Sequence, residues 1–165
     1  MSELNKRIFA ALENGAEFLV MGEIAANTGL LVSHAPRTIT DYDIIVNNID
    51  MSKGCMVEVK HSRSTFKTKI KSTDYDFIVF VYAPSKIENG IVEPSISQKS
   101  KDKKGIYVFP KNVVQEAIEG TSGTSFNPEN IKVNGVTDKK KYKDFKDAYH
   151  LILDMVPNSP KDFKA

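Results

Sequence analysis

The chain has a single cysteine, Cys55, among its 165 residues, which excludes an internal disulfide framework. Cys55 opens a β-like run and reads as a small buried hydrophobe. No apolar stretch approaches the roughly 20 residues that a bilayer span needs, so no membrane association is expected. Met1-Ser2-Glu3-Leu4-Asn5-Lys6-Arg7 is not followed by the apolar core and cleavage site of an export signal, and a cytoplasmic location is expected. A P-loop, a dinucleotide fingerprint and a Ser/His/Asp order are also lacking. Three scattered histidines do not have zinc-site spacing. There is no internal repeat.

With 23 Lys and Arg against 21 Asp and Glu, net charge says little; its distribution says more. Met1 to Glu58 holds eight acids and four basic residues, whereas Val59 to Thr73 holds no acid and five bases: Lys60, Arg63, Lys67, Lys69 and Lys71. An acidic region beside a basic strip suits a polyanion held next to a cation. The length is that of one domain with a real core, expected over 1–156, with 157–165 a flexible tail.

Two acidic strands sit at the centre of the pattern. Asp41-Tyr42-Asp43-Ile44-Ile45-Val46 and Met56-Val57-Glu58-Val59-Lys60 are β-branched apolar runs carrying charge. An ionised side chain in such a run costs several kcal/mol unless paired or metal-bound. Alternation along a strand puts Glu58 and Lys60 on one face and Val57 and Val59 on the other. Carboxylates and an ammonium on adjacent strands would make a cation site flanked by positive charge.

This arrangement resembles the PD-(D/E)XK nuclease superfamily, including its small single-domain members of the restriction-endonuclease and Holliday-junction-resolvase type. Its signature is an acid at the start of one strand and an acid-X-Lys triplet on the next. Here these are Asp43 and Glu58-Val59-Lys60, with Tyr42 where the family usually has Pro. The resemblance covers about the first two-thirds of the chain, from Ala16-Glu17-Phe18-Leu19-Val20 through Gly29 to the triplet, with Ile106-Tyr107-Val108-Phe109-Pro110 fitting the same picture. It implies an α/β fold with a central mixed β-sheet flanked by helices, and Mg²⁺-dependent hydrolysis of DNA phosphodiesters, with Mn²⁺ an alternative ion. It implies Asp43, Glu58 and the Val59 carbonyl as metal ligands and Lys60 as the residue acting on the attacking water. Relatives often act as dimers, so a homodimer is compatible with it. The competing reading is a non-catalytic nucleic-acid-binding or accessory protein on the same fold. For the residues themselves it makes Glu58 and Lys60 a half-exposed pair and Asp43 a strand-start residue capping backbone amides.

The remaining elements follow from periodicity. Ser2 to about Glu13 reads as a helix, Asn14-Gly15 as a break, and Ala16 to Thr28 as a second helix stopped by Gly29. At about 100° per residue, Glu17 shares the Val20/Ile24 face and Glu23 does not, so Glu17 is the helix acid expected to join the site. Leu30 to His34 is a strand, and Ala35 to Thr40 a loop in which Arg37 could reach a phosphate. Thr65 to Lys71 alternates Phe66, Thr68 and Ile70 with Lys67, Lys69 and Lys71, a strand-like arm with one basic face for DNA, which Arg63 would extend. Phe77 to Val81 is a strand buried on both faces. Asn89-Gly90 signals a turn, with Ile91-Val92 a short edge strand. Gly105 to Phe109 is a strand, and Asn112 could cap a helix through Glu119. Gly120 to Gly135 reads as irregular loop, and Asp138 to Met155 as a final amphipathic helix.

Overall fold

A computed structural model describes residues 3–36, 42–70, 73–88, 91–94, 102–118 and 124–158. The amino-terminal region forms one helix, α1 (Glu3–Thr28), that runs through Asn14-Gly15 instead of breaking there. A Cβ on Gly15 would meet nothing within 4 Å, so this side of the helix is open. The low helix propensity of Asn and Gly costs at most about 2 kcal/mol together. Burying Val20 and Ile24, both fully enclosed, stabilises by about 1.5–3 kcal/mol each. Packing therefore outweighs the local break. Gly29 ends the helix at φ +68, with its amide donating to Ala25 O.

The sheet has five strands in the order β1 (Leu31–His34), β2 (Ile44–Asn47), β3 (Gly54–Ser62), β5 (Phe77–Tyr82) and β8 (Gly105–Pro110). β3 and β5 run parallel, and the other neighbours are antiparallel. The β2–β3 register pairs Ile44 with Val57 and Asn47 with Gly54. A Cβ on Gly54 would crowd Asn47 Oδ1 and lie 3.2 Å from Val46 O, so the two strands approach closely here. Buried Asn48 closes the turn, its Oδ1 accepting from the Lys53 amide and its Nδ2 donating to Ser52 Oγ. Fixing this turn fixes the register, and a one-residue slip would exchange the two faces of β3.

One face of the sheet packs on α1 and the short α3 (His150–Met155) through Ala16, Val20, Ile24, Val57, Val79, Tyr149 and Ile152. The other face carries an aromatic cluster under α2 (Lys111–Ile118), including Phe66, Phe80, Tyr107, Phe109 and Phe126. The result is an α/β fold with a central mixed sheet flanked by helices, as expected.

Several local expectations give way to tertiary pairing. The final helix does not run from Asp138. Lys141–Phe145 is a 3-10 turn, and only His150–Met155 is α-helical. Tyr107 of β8 pairs with Lys146, and the Asp147 amide donates to Ile106 O at a left-handed φ of 52. That pairing to the sheet edge breaks the amphipathic pattern. Asn112 lies inside α2, not at its cap position: the helix starts at Lys111, whose amide donates to Asp76 O. The supposed loop 120–135 contains β9 (Ser125–Phe126) and β10 (Lys132–Val133). β9 pairs with β4 (Thr68–Lys69), and β10 pairs with β11 (Val136–Thr137). Two further strands, β6 (Ser85–Glu88) and β7 (Ile91–Pro94), form a hairpin on either side of 89–90. Asn158, placed in the expected tail, still accepts from the Ile49 amide at 3.3 Å. Among the described residues no helix is long and apolar enough to cross a membrane.

Candidate functional site

Asp43 precedes β2 and is held on three sides. Its carbonyl accepts from the Ala35 amide at 2.9 Å, and its amide donates to Val57 O at 3.1 Å. Its Oδ2 accepts from the Val59 amide at 2.7 Å. The first acid is thus pinned across the 57–59 stretch that carries Glu58. The amide-capping role belonging to the competing reading is part of the fold, and it engages Oδ2.

Glu58 is buried and ion-paired with Lys60 Nζ on the same strand face. It registers beside Ile78 of β5, on the side of the aromatic cluster. Val57 and Val59 pack on the opposite side, so the alternation read from the sequence holds. The nearby Tyr75 phenol is pushed up from its ordinary pKa, first by burial and then by the Glu58 charge.

A cleft of about 320 Å³ opens beside these strands, lined by Glu13, Glu17, Asp43, Val59, Lys60, His61, Thr68 and Lys69. Glu17 reaches it from α1, and its carboxylate lies 3.6 Å from His34 Nδ1. The His34 ring in turn stands edge-on to Phe18 at 5.0 Å. Glu23 faces elsewhere, accepting from Asn27 Nδ2 on the same helix. Glu58 does not line the cleft and touches it through Lys60. Glu13 and His61 were not anticipated. Glu13 sits one turn before Glu17, a spacing that puts both on one helix face. His61 follows the triplet directly, and its pKa is lowered by burial and by Arg63, against an opposing pull from Glu13.

The basic residues divide. Lys67 and Lys69 are exposed while Phe66 and Ile70 are buried, so the arm has the expected basic face where it is described, and Lys69 stands at the cleft. Arg63 instead lays its guanidinium over the Phe9 ring of α1 at 4.2 Å. Arg37 and Lys71 lie outside the described residues.

The donor set suits a hard cation. Carboxylate oxygens and a backbone carbonyl match Mg²⁺, which is commonly held by one or two carboxylates and waters instead of a full protein cage. Among the described residues, however, no group of three or more His, Cys, Asp or Glu side chains is placed to hold a metal ion, so Glu17, Asp43 and Glu58 are not brought together as a cluster of three acids.

No family model matches the chain, and no curated protein matches it in sequence. Among solved structures, the fold is similar to that of the bacterial homing endonuclease I-Ssp6803I, with a TM-score of 0.53 at 15% sequence identity over 86% of this chain and 90% of that one.

Proposed function

We propose that this protein is a metal-dependent DNA endonuclease that hydrolyses phosphodiester bonds in the Asp43–Lys60 cleft, as a member of the PD-(D/E)XK superfamily. The observation that carries the reading is the convergence of Asp43, the Val59 backbone, Lys60 and Glu17 on one cleft with Lys69 at its side. The homing endonuclease of similar fold supports the same class of activity. Asp43 and the Val59 carbonyl would hold Mg²⁺ or Mn²⁺, with Glu17 assisting directly or through water; Glu58, the further ligand that the resemblance implies, does not line the cleft and is paired with Lys60. When bound, the ion supplies Lewis-acid polarisation of the scissile phosphate and a more acidic water.

The chain's own residues do the rest. Glu58 holds the Lys60 ammonium in place at the cleft. From there Lys60 orients the attacking water and stabilises the negative charge that grows on the phosphoryl oxygens. Lys67 and Lys69 hold the flanking backbone. The products are a 5′-phosphate and a 3′-hydroxyl. Two copies of the chain would be needed to cut two strands together, which makes a homodimer the functional unit.

The test is supercoiled plasmid incubated with Mg²⁺, with Mn²⁺ and with EDTA. Nicked circles in the metal-containing reactions alone, with ends that ligate directly, are expected. DNA binding with no nicking in either metal would instead make the protein a non-catalytic binder on this fold.

A further inference from the structure

A second recess, of about 170 Å³, lies beyond His61 from the cleft. It is lined by Leu12, His61, Arg63, Pro84, Val92 and Lys104 among others. Its scaffold is rigid where Arg63 enters. The chain leaving β3 is bonded to the start of the β6–β7 hairpin, with the Ala83 amide donating to Ser62 O and the Ser85 amide to Arg63 O. The walls are largely apolar, yet they enclose a guanidinium. Arg63 Nη1 is buried and has no hydrogen-bond partner among the described residues. A buried donor left unmade costs about 1–3 kcal/mol, and more when charged.

Stacking on Phe9 does not satisfy those donors. A cation–π contact uses the face of the guanidinium, while its five N–H groups radiate in the plane. The face is occupied, and of the in-plane donors Nη1 is left without a partner among the described residues. A planar fork beside an apolar-walled recess suits carboxylate or phosphate oxygens. Lys104, exposed on the same recess, adds a second positive charge. His61 lines both the recess and the cleft, so the two are neighbours along β3.

We propose that this recess is a phosphate subsite, in which the in-plane N–H groups of Arg63, assisted by Lys104, take a backbone phosphate of the DNA whose scissile phosphate lies in the cleft. The inference rests on the endonuclease reading for the source of the phosphate. The chemistry it needs is a phosphate oxygen in the recess. The apolar walls lower the local polarity on one side of the pair and strengthen it. Seating a phosphate on each side of His61 would set the path of the strand across the cleft and leave Lys67 and Lys69 to hold its other flank.

The experiment has two arms. In the first, DNA affinity is measured against salt, with Ca²⁺ replacing Mg²⁺ so that binding is read without cleavage. Lys104→Ser and Arg63→Gln should each lower the slope of log affinity against log salt by about 1. Unchanged affinity and slope in both variants overturn the proposal. In the second arm, inorganic phosphate is titrated against thermal melting. It should raise the Tm of the wild-type chain and do so much less for Arg63→Gln. Should the wild-type chain bind no DNA, the endonuclease reading fails by itself. A phosphate-dependent rise lost in Arg63→Gln then keeps the subsite, now for free phosphate, and no rise removes it. Lys104 is exposed, so its variant carries the first arm even if Arg63→Gln does not fold.

Discussion

The Asp43 carboxylate accepts a hydrogen bond from the Val59 amide at 2.7 Å, tying the first acid to the middle residue of the acid-X-Lys triplet. One oxygen therefore serves the fold, and the cation proposed for the cleft would use the other. Asp43→Asn retains an oxygen for the Val59 amide and removes a charge, so its Tm in EDTA should stay close to wild type. Asp43→Ala leaves a half-buried amide unpaired and should lose about 1–3 kcal/mol. Mg²⁺ should raise the wild-type Tm by mass action and leave both variants unmoved. Melting curves of the three proteins with and without Mg²⁺ check this, and a metal response surviving in both variants would remove Asp43 from the ligand set.

Lys60 is the partner of a buried acid, which changes what its removal does. The alternation alone suggests that Lys60→Ala spares the fold. With Glu58 buried and paired to Lys60, removing the ammonium takes a charged partner from a buried acid, a change that costs up to about 3–5 kcal/mol in buried pairs. Lys60→Met should thus be inactive and destabilised. The double variant Lys60→Met with Glu58→Gln should recover much of the stability and none of the cleavage. Denaturant melts separate the two effects, because recovery of nicking along with stability would make Lys60 purely structural.

Glu17 and Glu23 lie on the same helix in different surroundings. Glu17 lines the cleft, and Glu23 bonds to Asn27. Glu17→Gln should reduce cleavage at least tenfold at saturating Mg²⁺, with Glu23→Gln near wild type. Equal rates for the two variants in a plasmid-nicking time course would leave Glu17 without a role in the chemistry.

Lys67 and Lys69 are exposed beside buried Phe66 and Ile70. Replacing both by serine should not alter the Tm. It should lower the slope of log affinity against log salt by about 0.9 for each phosphate that is no longer neutralised. Titrations over a range of salt concentrations read this directly, and an unchanged slope would mean that this arm faces away from the DNA.

Cys55 is buried at the start of β3, and its thiol is pushed up from 9.0 to about 12, chiefly by burial and secondarily by Asp76. The unfolded thiol ionises at its ordinary value while the folded one stays protonated. The native state then holds the extra proton, and stability falls as pH rises from about 9 toward 12, by about 1.4 kcal/mol per unit. Below pH 9 this contribution is flat. Cys55→Ala should melt lower at neutral pH, because of the cavity, and lose less on going to pH 10. Thiol reagents at pH 8 should modify the native protein far more slowly than the urea-unfolded chain.

The sequence determined the parts whose signal is local. Period-two alternation placed Glu58 and Lys60 on one face of β3, the continuous apolar run marked β5 as the doubly covered central strand, and the angular position of Glu17 put it on the inner side of α1. Those residues follow strand or helix geometry that needs only the neighbouring few positions. Tertiary structure decided the rest. Burial of Val20 and Ile24 carried α1 through Asn14-Gly15, and pairing of Tyr107 with Lys146 dissolved the amphipathic pattern of 138–155. The β2–β3 register, which pairs Gly54 with Asn47, brought Asp43 onto the Val59 amide. The partners of Arg63 were equally invisible, because Phe9 and Ser85 lie far from it in sequence and meet it only once α1 and the β6–β7 hairpin have packed. A charge read along the chain cannot tell a solvated lysine such as Lys67 from a guanidinium stacked and half enclosed; that distinction is made by burial, which only the folded chain possesses.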